Sequence, residues 1–163
     1  SEWMDLEFTE YLSPDSLCTV LQPLLPAGIT LLSANEVPVG CRSLSQEITA
    51  AVWCFDLQLA DQGFESDSLD WDAAVASITA AQQLIWHDTD KKGRPRQRDC
   101  RPSLRRLELL SGSSLKRRRL CLETEVDEMG RGIRPTQIQH WIAEQQGLPL
   151  EISALNREAL HLA

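Results

Sequence analysis

The sequence predicts an α+β fold: a ferredoxin-like β-α-β-β-α-β sandwich over residues 1–110, followed by a β-α-β extension over 111–163. Three observations predict it. Apolar and polar residues alternate in several short runs, as half-buried strands require. Between those runs lie stretches whose apolar residues recur every three or four positions, the spacing of a helix packed on one face. The 163 residues, 42% hydrophobic and 25% charged, are enough for one domain with its own core.

The elements follow in order. "WMDLEFTEYL" places Met4, Leu6 and Phe8 on one face and Asp5 and Glu7 on the other, a first strand. "SPDSLCTVLQPLL" starts a helix, with Ser13 as N-cap, Pro14 in the first turn and Asp15 at the positive end of the dipole. Leu17, Val20, Leu21 and Leu24 form its stripe; Pro23 and Pro26 limit it, and Gly28 turns the chain. "ITLLSANEVPV" reads as a second strand closed by Pro38. "SLSQEITA" carries a capping-box pattern from Ser43 to Gln46 and predicts a short helical turn.

"AVWCFDLQL" predicts a third strand, with Trp53, Phe55, Leu57 and Leu59 inward and Asp56 and Gln58 outward. After the polar loop "DQGFESDSLD", the run "WDAAVASITAAQQLIW" has the strongest helical period, capped by Asp70 and continuing to Ile85. A turn is expected at 92–95, then a strand over "RQRDCR" and "LRRLELL" broken at Pro102. A turn at 111–113 leads to "LKRRRLCLETEV", with Leu120, Leu122 and Val126 inward. "GRGIRPTQIQHWIAEQQG" gives a helix with Pro135 in its first turn, Ile138, Trp141 and Ile142 on its face, and Gly147 as its stop. "LEISALNREALHLA" closes as a terminal strand.

Charge is strongly polarised along the chain. Residues 88–119 hold twelve of the 16 Lys and Arg against four acids, while the whole chain has a net charge of -8. On an extended segment Arg94, Arg96 and Arg98 share one face, and Arg117 and Arg119 join it if the following strand pairs alongside. Guanidinium forks suit phosphate, so a phosphodiester is one partner of such a stripe, and an acidic protein surface is another. The chain's own carboxylates, Glu123 and Glu125 among them, are the competing partners. No aromatic residue lies within 88–119 to stack on bases. "GRGIRP" sets Arg131 and Arg134 beside a helix N-terminus, which is either an anion site or a plain loop into a helix.

Five cysteines, odd in number and spread through the sequence, predict free thiols in a reducing cytoplasm. No Cys-x-x-Cys spacing occurs and His87, His140 and His161 are far apart, so no metal or cluster site is expected in this chain. Cys100 lies among arginines that would lower its pKa, which makes it the one candidate nucleophile; a buried strand thiol is the competing reading. No apolar run approaches the roughly 18 residues of a membrane-spanning helix, and no basic-then-apolar leader reads as a secretory signal. The chain opens on "SEWMDLEF" without an initiating Met, which suggests a fragment.

Several stretches together, "MDLEFTEYLSPDSLCTVLQPLLPAGITLLSANEVPVGCRSLSQEITAAVW", "RDCRPSLRRLEL", "GRGIRPTQIQHWI" and "NREALHL", resemble the bacterial radical SAM-linked protein family, a domain family of unknown function. The most specific parts are the "LPAGI" turn, the Asp99–Arg101–Pro102 group and the Arg134-Pro135 helix start. The resemblance implies a domain encoded beside a B12-binding-type radical SAM protein, or fused to its C-terminus as is usual in cyanobacteria. It also implies a further N-terminal portion with a Gly-Phe-Asn-Pro-His-Pro-like motif, which this chain lacks. The family's closing Arg-Thr-x-Leu-like stretch stands here as Arg157-Glu158-Ala159-Leu160. An iron–sulfur cluster and S-adenosylmethionine are implied for the parent protein only.

Residues and resemblance together predict a non-catalytic accessory domain that presents an anionic substrate, RNA foremost, to a radical SAM catalytic core. Arg94, Arg96, Arg98, Arg101, Arg117 and Arg119 form the expected contact face, with Arg131 and Arg134 beside it. The alternatives are a docking module whose basic stripe meets an acidic partner, and an independent enzyme using Cys100.

Overall fold

The computed structural model describes residues 3–60, 69–90, 92–111 and 117–163. They fall into two compact units, divided between Leu44 and Ser45.

In the first unit only the helix is regular. α1 (Pro14–Leu21) begins as its sequence dictates: the Ser13 hydroxyl accepts from the Ser16 N–H at 3.3 Å, and Pro14 opens the first turn. A 3-10 turn, Gln22–Leu24, follows, and the Gln22 side chain accepts from the Leu31 N–H at 2.9 Å. The two runs read as strands, at 3–10 and 29–39, carry no ladder. Alternation favours an extended backbone, but a strand also needs a neighbour to bond. No described residue before Ser45 is buried.

The second unit holds the sheet. After α2 (Leu44–Glu47) come β1 (Ile48–Leu59), α3 (Trp71–Ala80), β2 (Ile85–Thr89), β3 (Pro95–Asp99), β4 (Leu104–Leu110), β5 (Arg117–Glu125), α4 (Pro135–Gln146) and β6 (Leu150–Leu162). Four strands lie in the order β4-β5-β1-β6, every pair antiparallel, while β2 and β3 form a separate hairpin. With the hairpin set aside, the succession β1-α3-β4-β5-α4-β6 is the ferredoxin-like split β-α-β. The α+β class is therefore as the sequence predicts, but the six elements occupy residues 48–162 rather than 1–110. The frame shifts because the two N-terminal extended runs do not pair and the β2–β3 hairpin is an insertion.

Both long helices cover one face of the sheet. Phe55, Leu57, Leu120 and Leu122 meet Trp71, Val75 and Ile78 of α3 and Ile138, Trp141 and Ile142 of α4 in one core. The Asp70 carboxylate caps α3 through the Ala73 N–H at 2.9 Å. The helix stops at Ala80, short of the predicted Ile85: Ala81 turns to ψ 134, and Ile85 and Trp86 enter β2 instead. Trp86 still packs against the core, as Leu84 does, while Ile85 stands exposed. Trp86 packs edge-on to Trp141, centroids 6.2 Å apart, and Trp141 donates to the Ile85 carbonyl at 3.2 Å. α4 ends at Gly147, whose φ of 63° is left-handed. Among the described residues no helix is long and apolar enough to cross a membrane. The predicted turn residues 112–113 and the loop at 61–68 lie outside the described residues.

One buried hydroxyl joins three segments. Thr124 in β5 accepts from the Ile133 N–H at 2.8 Å and lies 3.0 Å from the carbonyls of Ser103 and Glu125, to which it donates. Gly132 sits so close that a Cβ there would meet the Glu125 carbonyl at 2.8 Å. Thr124→Val orphans a buried N–H and should cost about 1–3 kcal/mol. Gly132→Ala should cost about 1–3 kcal/mol by overpacking. Urea unfolding followed by circular dichroism checks both.

Candidate anion-binding surface

The eight arginines singled out from the sequence do not form one face. Arg94, Arg96 and Arg98 lie on the hairpin, which pairs Asp88 with Arg96 and Trp86 with Arg98. Arg117 and Arg119 lie on β5, which pairs with β4 and β1 and not with the hairpin. Because Leu120 and Leu122 enter the core, the alternation turns Arg117 and Arg119 to the sheet face opposite α3 and α4. Arg131 and Arg134 precede α4.

Most of these cations already have partners. Arg119 reaches Asp56 through Nε at 2.8 Å and Nη2 at 3.3 Å, and Arg117 lies 3.5 Å from the same carboxylate. Asp56, expected outside, is thus only 3% exposed, on the predicted face but roofed by two guanidiniums. The Arg119 hydrogen bond holds its carboxyl below the usual range, against the opposing effect of burial. Arg101 donates to three carbonyls, Ala81 at 2.8 Å, Leu104 at 3.2 Å and Thr79 at 3.2 Å. It caps the open end of α3, and three of its five N–H donors are already committed to carbonyls of the same chain. Asp99 beside it accepts from the Leu84 and Arg101 N–H groups, which hold its carboxyl low. The Asp99–Arg101–Pro102 group is therefore the splice between α3, the hairpin and β4.

Two loops neutralise their own arginine by the same device, an Asp-x-x-Gly-Arg turn. In residues 90–94 and again in 127–131, the Asp Oδ1 accepts the N–H two and four residues on. Its carbonyl accepts the Gly N–H, and its N–H donates to the Arg carbonyl. Oδ2 takes the Arg Nε, at 2.7 Å for Asp90–Arg94 and 2.8 Å for Asp127–Arg131. The glycines need φ of 75° and 72°, which side-chain-bearing residues rarely adopt. Both carboxyls are held below the usual range. At Asp90 the backbone and guanidinium of Arg94 do it; at Asp127 burial pushes upward but the Arg131 bonds outweigh it.

A cleft of about 340 Å³ does bring the two sequence constellations together, with Arg98 and Arg131 facing Asp99, Glu125 and Asp127. Arg98 donates to the Gly132 carbonyl at 3.3 Å across it. Its lining is mixed in sign and not a basic trough. Arg105 and Arg106 pair with Glu123, Glu125 and Glu108 at 3.1–3.8 Å. Among the described residues neither Arg96 nor Arg134 makes a side-chain ion pair within 4.0 Å, although Arg96 acts on Asp90 at longer range.

Cys100 is 1% exposed, donates toward the Arg98 carbonyl and accepts from the Gln137 side chain. Burial raises its pKa, against the lowering effect of Arg98, so it rests as a neutral core thiol. That is the reverse of the activation expected from its arginine neighbours. Among the described residues no three His, Cys, Asp or Glu side chains are grouped as a metal would require.

The family described as "Uncharacterized protein conserved in bacteria (DUF2344)" matches residues 1–135. The chain belongs to this family. The DUF2344 match runs from the first unit through β5 and ends at the first residue of α4. No curated protein matches the sequence. Among solved structures, a chain from "Crystal Structure of a Cbf5-Nop10-Gar1 Complex" is similar at 17% identity and a TM-score of 0.47, over 71% of this chain and 32% of that one. This chain thus spans about a third of the length of the one it matches.

Arg119→Ala should destabilise the DUF2344 domain more than Arg117→Ala, because it strips the charge-assisted bonds, about 1.5–3 kcal/mol each, from a buried carboxylate. Thermal denaturation measures the difference. Asp56, Asp90, Asp99 and Asp127 all have depressed pKa values when folded. Their contribution is present above the ordinary carboxylate pKa of about 4 and drains away as pH falls through the lower folded values. Asp56→Asn should flatten the acid limb of a stability-versus-pH curve.

Proposed function

We propose that this DUF2344 chain is a non-catalytic accessory domain whose main contact is with protein, and that its partner is a radical SAM catalytic core, fused or separate. The carrying observation is the first unit. Twelve large apolar side chains between Trp3 and Val39 stand more than a third exposed, against four in the rest of the described chain. So concentrated an apolar surface marks an interaction site. The choice of a radical SAM core as partner rests on the family resemblance. This reading moves the docking contact from the basic stripe to the apolar segment, because the stripe's arginines are largely matched by carboxylates and carbonyls of the same chain.

A second reading keeps an anionic substrate, RNA foremost, at Arg96 and Arg134, the two predicted contacts that make no side-chain ion pair within 4.0 Å and no side-chain hydrogen bond among the described residues. The independent-enzyme reading draws no support from Cys100, which is buried and protonated.

Mixing the purified chain with a purified B12-binding-type radical SAM core from the same genome, followed by sedimentation velocity, tests the proposal. A complex should form, and Phe8→Asp with Leu24→Asp should weaken it at least about tenfold, as loss of an interface anchor does. Arg96→Glu should leave it unchanged. A complex indifferent to the apolar substitutions, or none at all, overturns the docking reading. RNA affinity that falls steeply with salt and with Arg96→Glu supports the second.

A further inference from the structure

Two of the five thiols, 67 positions apart in sequence, face each other across the centre of the sheet. Cys54 of β1 and Cys121 of β5 are direct register partners. Directly opposed residues of an antiparallel pair have Cα atoms about 4.5 or 5.5 Å apart. Both spacings fall within the roughly 4.4–6.8 Å that a disulfide spans. The Cys121 thiol lies near enough to Cys54 to help raise its pKa. Trp53, Phe55, Leu120 and Leu122, their neighbours along the strands, belong to the core, so both sulfurs lie on the sheet face opposite α3 and α4.

The two thiols differ in access. Cys54 is half-buried and lines a pocket of about 190 Å³ together with Asp56, Arg119, Asn156 and Glu158. Cys121 is buried at 7% exposure. A small reagent therefore meets Cys54 first, and Cys121 is placed to resolve. Cys100 is sealed in the core, and Cys18 and Cys41 belong to the other unit.

We propose that Cys54 and Cys121 form a redox-sensitive dithiol that closes to a cross-strand disulfide on meeting a low-molecular-weight disulfide of the glutathione type. Cys54 loses its proton and its sulfur attacks one sulfur of the reagent; the reagent's S–S bond breaks and one half leaves as a thiol. Cys121 then loses its proton and attacks the Cys54 sulfur of the mixed disulfide, releasing the second half as a thiol. Two protein thiols are oxidised, one small disulfide is reduced to two thiols, and no other reactant is needed.

The resting pair is protected from adventitious oxidation. Burial, the Cys121 thiol beside it and Glu158 from β6 push the Cys54 thiol up to about 11, and Arg119 from β5 opposes them. Asp56, two residues along β1 on the same face, is neutralised by Arg119 and Arg117. At neutral pH the thiolate that attacks is scarce, so closure is slow and quickens with rising pH.

The test uses the full chain carrying Cys18→Ser and Cys41→Ser, incubated with oxidised glutathione at mildly alkaline pH and read by intact mass and non-reducing peptide mapping. The expected product has lost two hydrogens, carries no glutathione, links the Cys54 and Cys121 peptides and reverts with dithiothreitol. Adding Cys121→Ser should trap one glutathione on Cys54. Peptide mapping of the unsubstituted chain supplies the same link if a variant does not fold. A stable glutathione adduct on the unresolved pair, a link through Cys100, or two thiols that stay unreacted under these conditions overturns the proposal.

Discussion

The pairing of β1 with β5 decides everything else in the larger unit. These strands are some 60 residues apart in sequence and central in the sheet. Their register sets Phe55 against Leu120, Trp53 against Leu122 and Asp56 against Arg119. A slip of β1 by one residue would send Cys54 and Asp56 under the helices and Phe55 and Leu57 out to the other face. The hydrophobic core and the charge network are therefore specified by the same ladder. Neither could be rearranged without the other.

That ladder also explains why a segment so rich in arginine presents so little unmatched charge. On the sheet face opposite the helices, cations and carboxylates stand at short range on either side of the Cys54–Cys121 pair. Arg105 and Arg106 meet Glu123 and Glu125 across β4 and β5, while Asp56 anchors the β1 side. The surface pairs are individually worth little, about 0–1 kcal/mol. The Asp56 cluster differs because its carboxylate is withdrawn from water, so its bonds matter for the fold.

Much of the architecture was legible in the residues. The caps at Ser13 and Asp70, the stop at Gly147 and the inward faces of β1 and β5 follow from local chemistry, which the structure keeps. What sequence alone misplaced was non-local. Periodicity cannot say whether an extended run such as 29–39 finds a neighbour. Nor can it tell a helix tail from a hairpin strand at Leu84–Trp86, since Leu84 and Trp86 reach the core either way and Ile85 stands exposed in the hairpin. The basic stripe was visible, but its neutralisation depended on Asp56, whose burial no composition reveals, and on carbonyls at the end of α3. One signal was available: Asp-x-x-Gly-Arg occurs twice, and each copy encodes its own ion pair.

Those two turns have a wider consequence. Each carries cation, counter-ion and left-handed glycine within five consecutive residues, so the ion pair is local to the turn. A charge tally that treats its arginine as available overstates the outward field of the loop by one full unit.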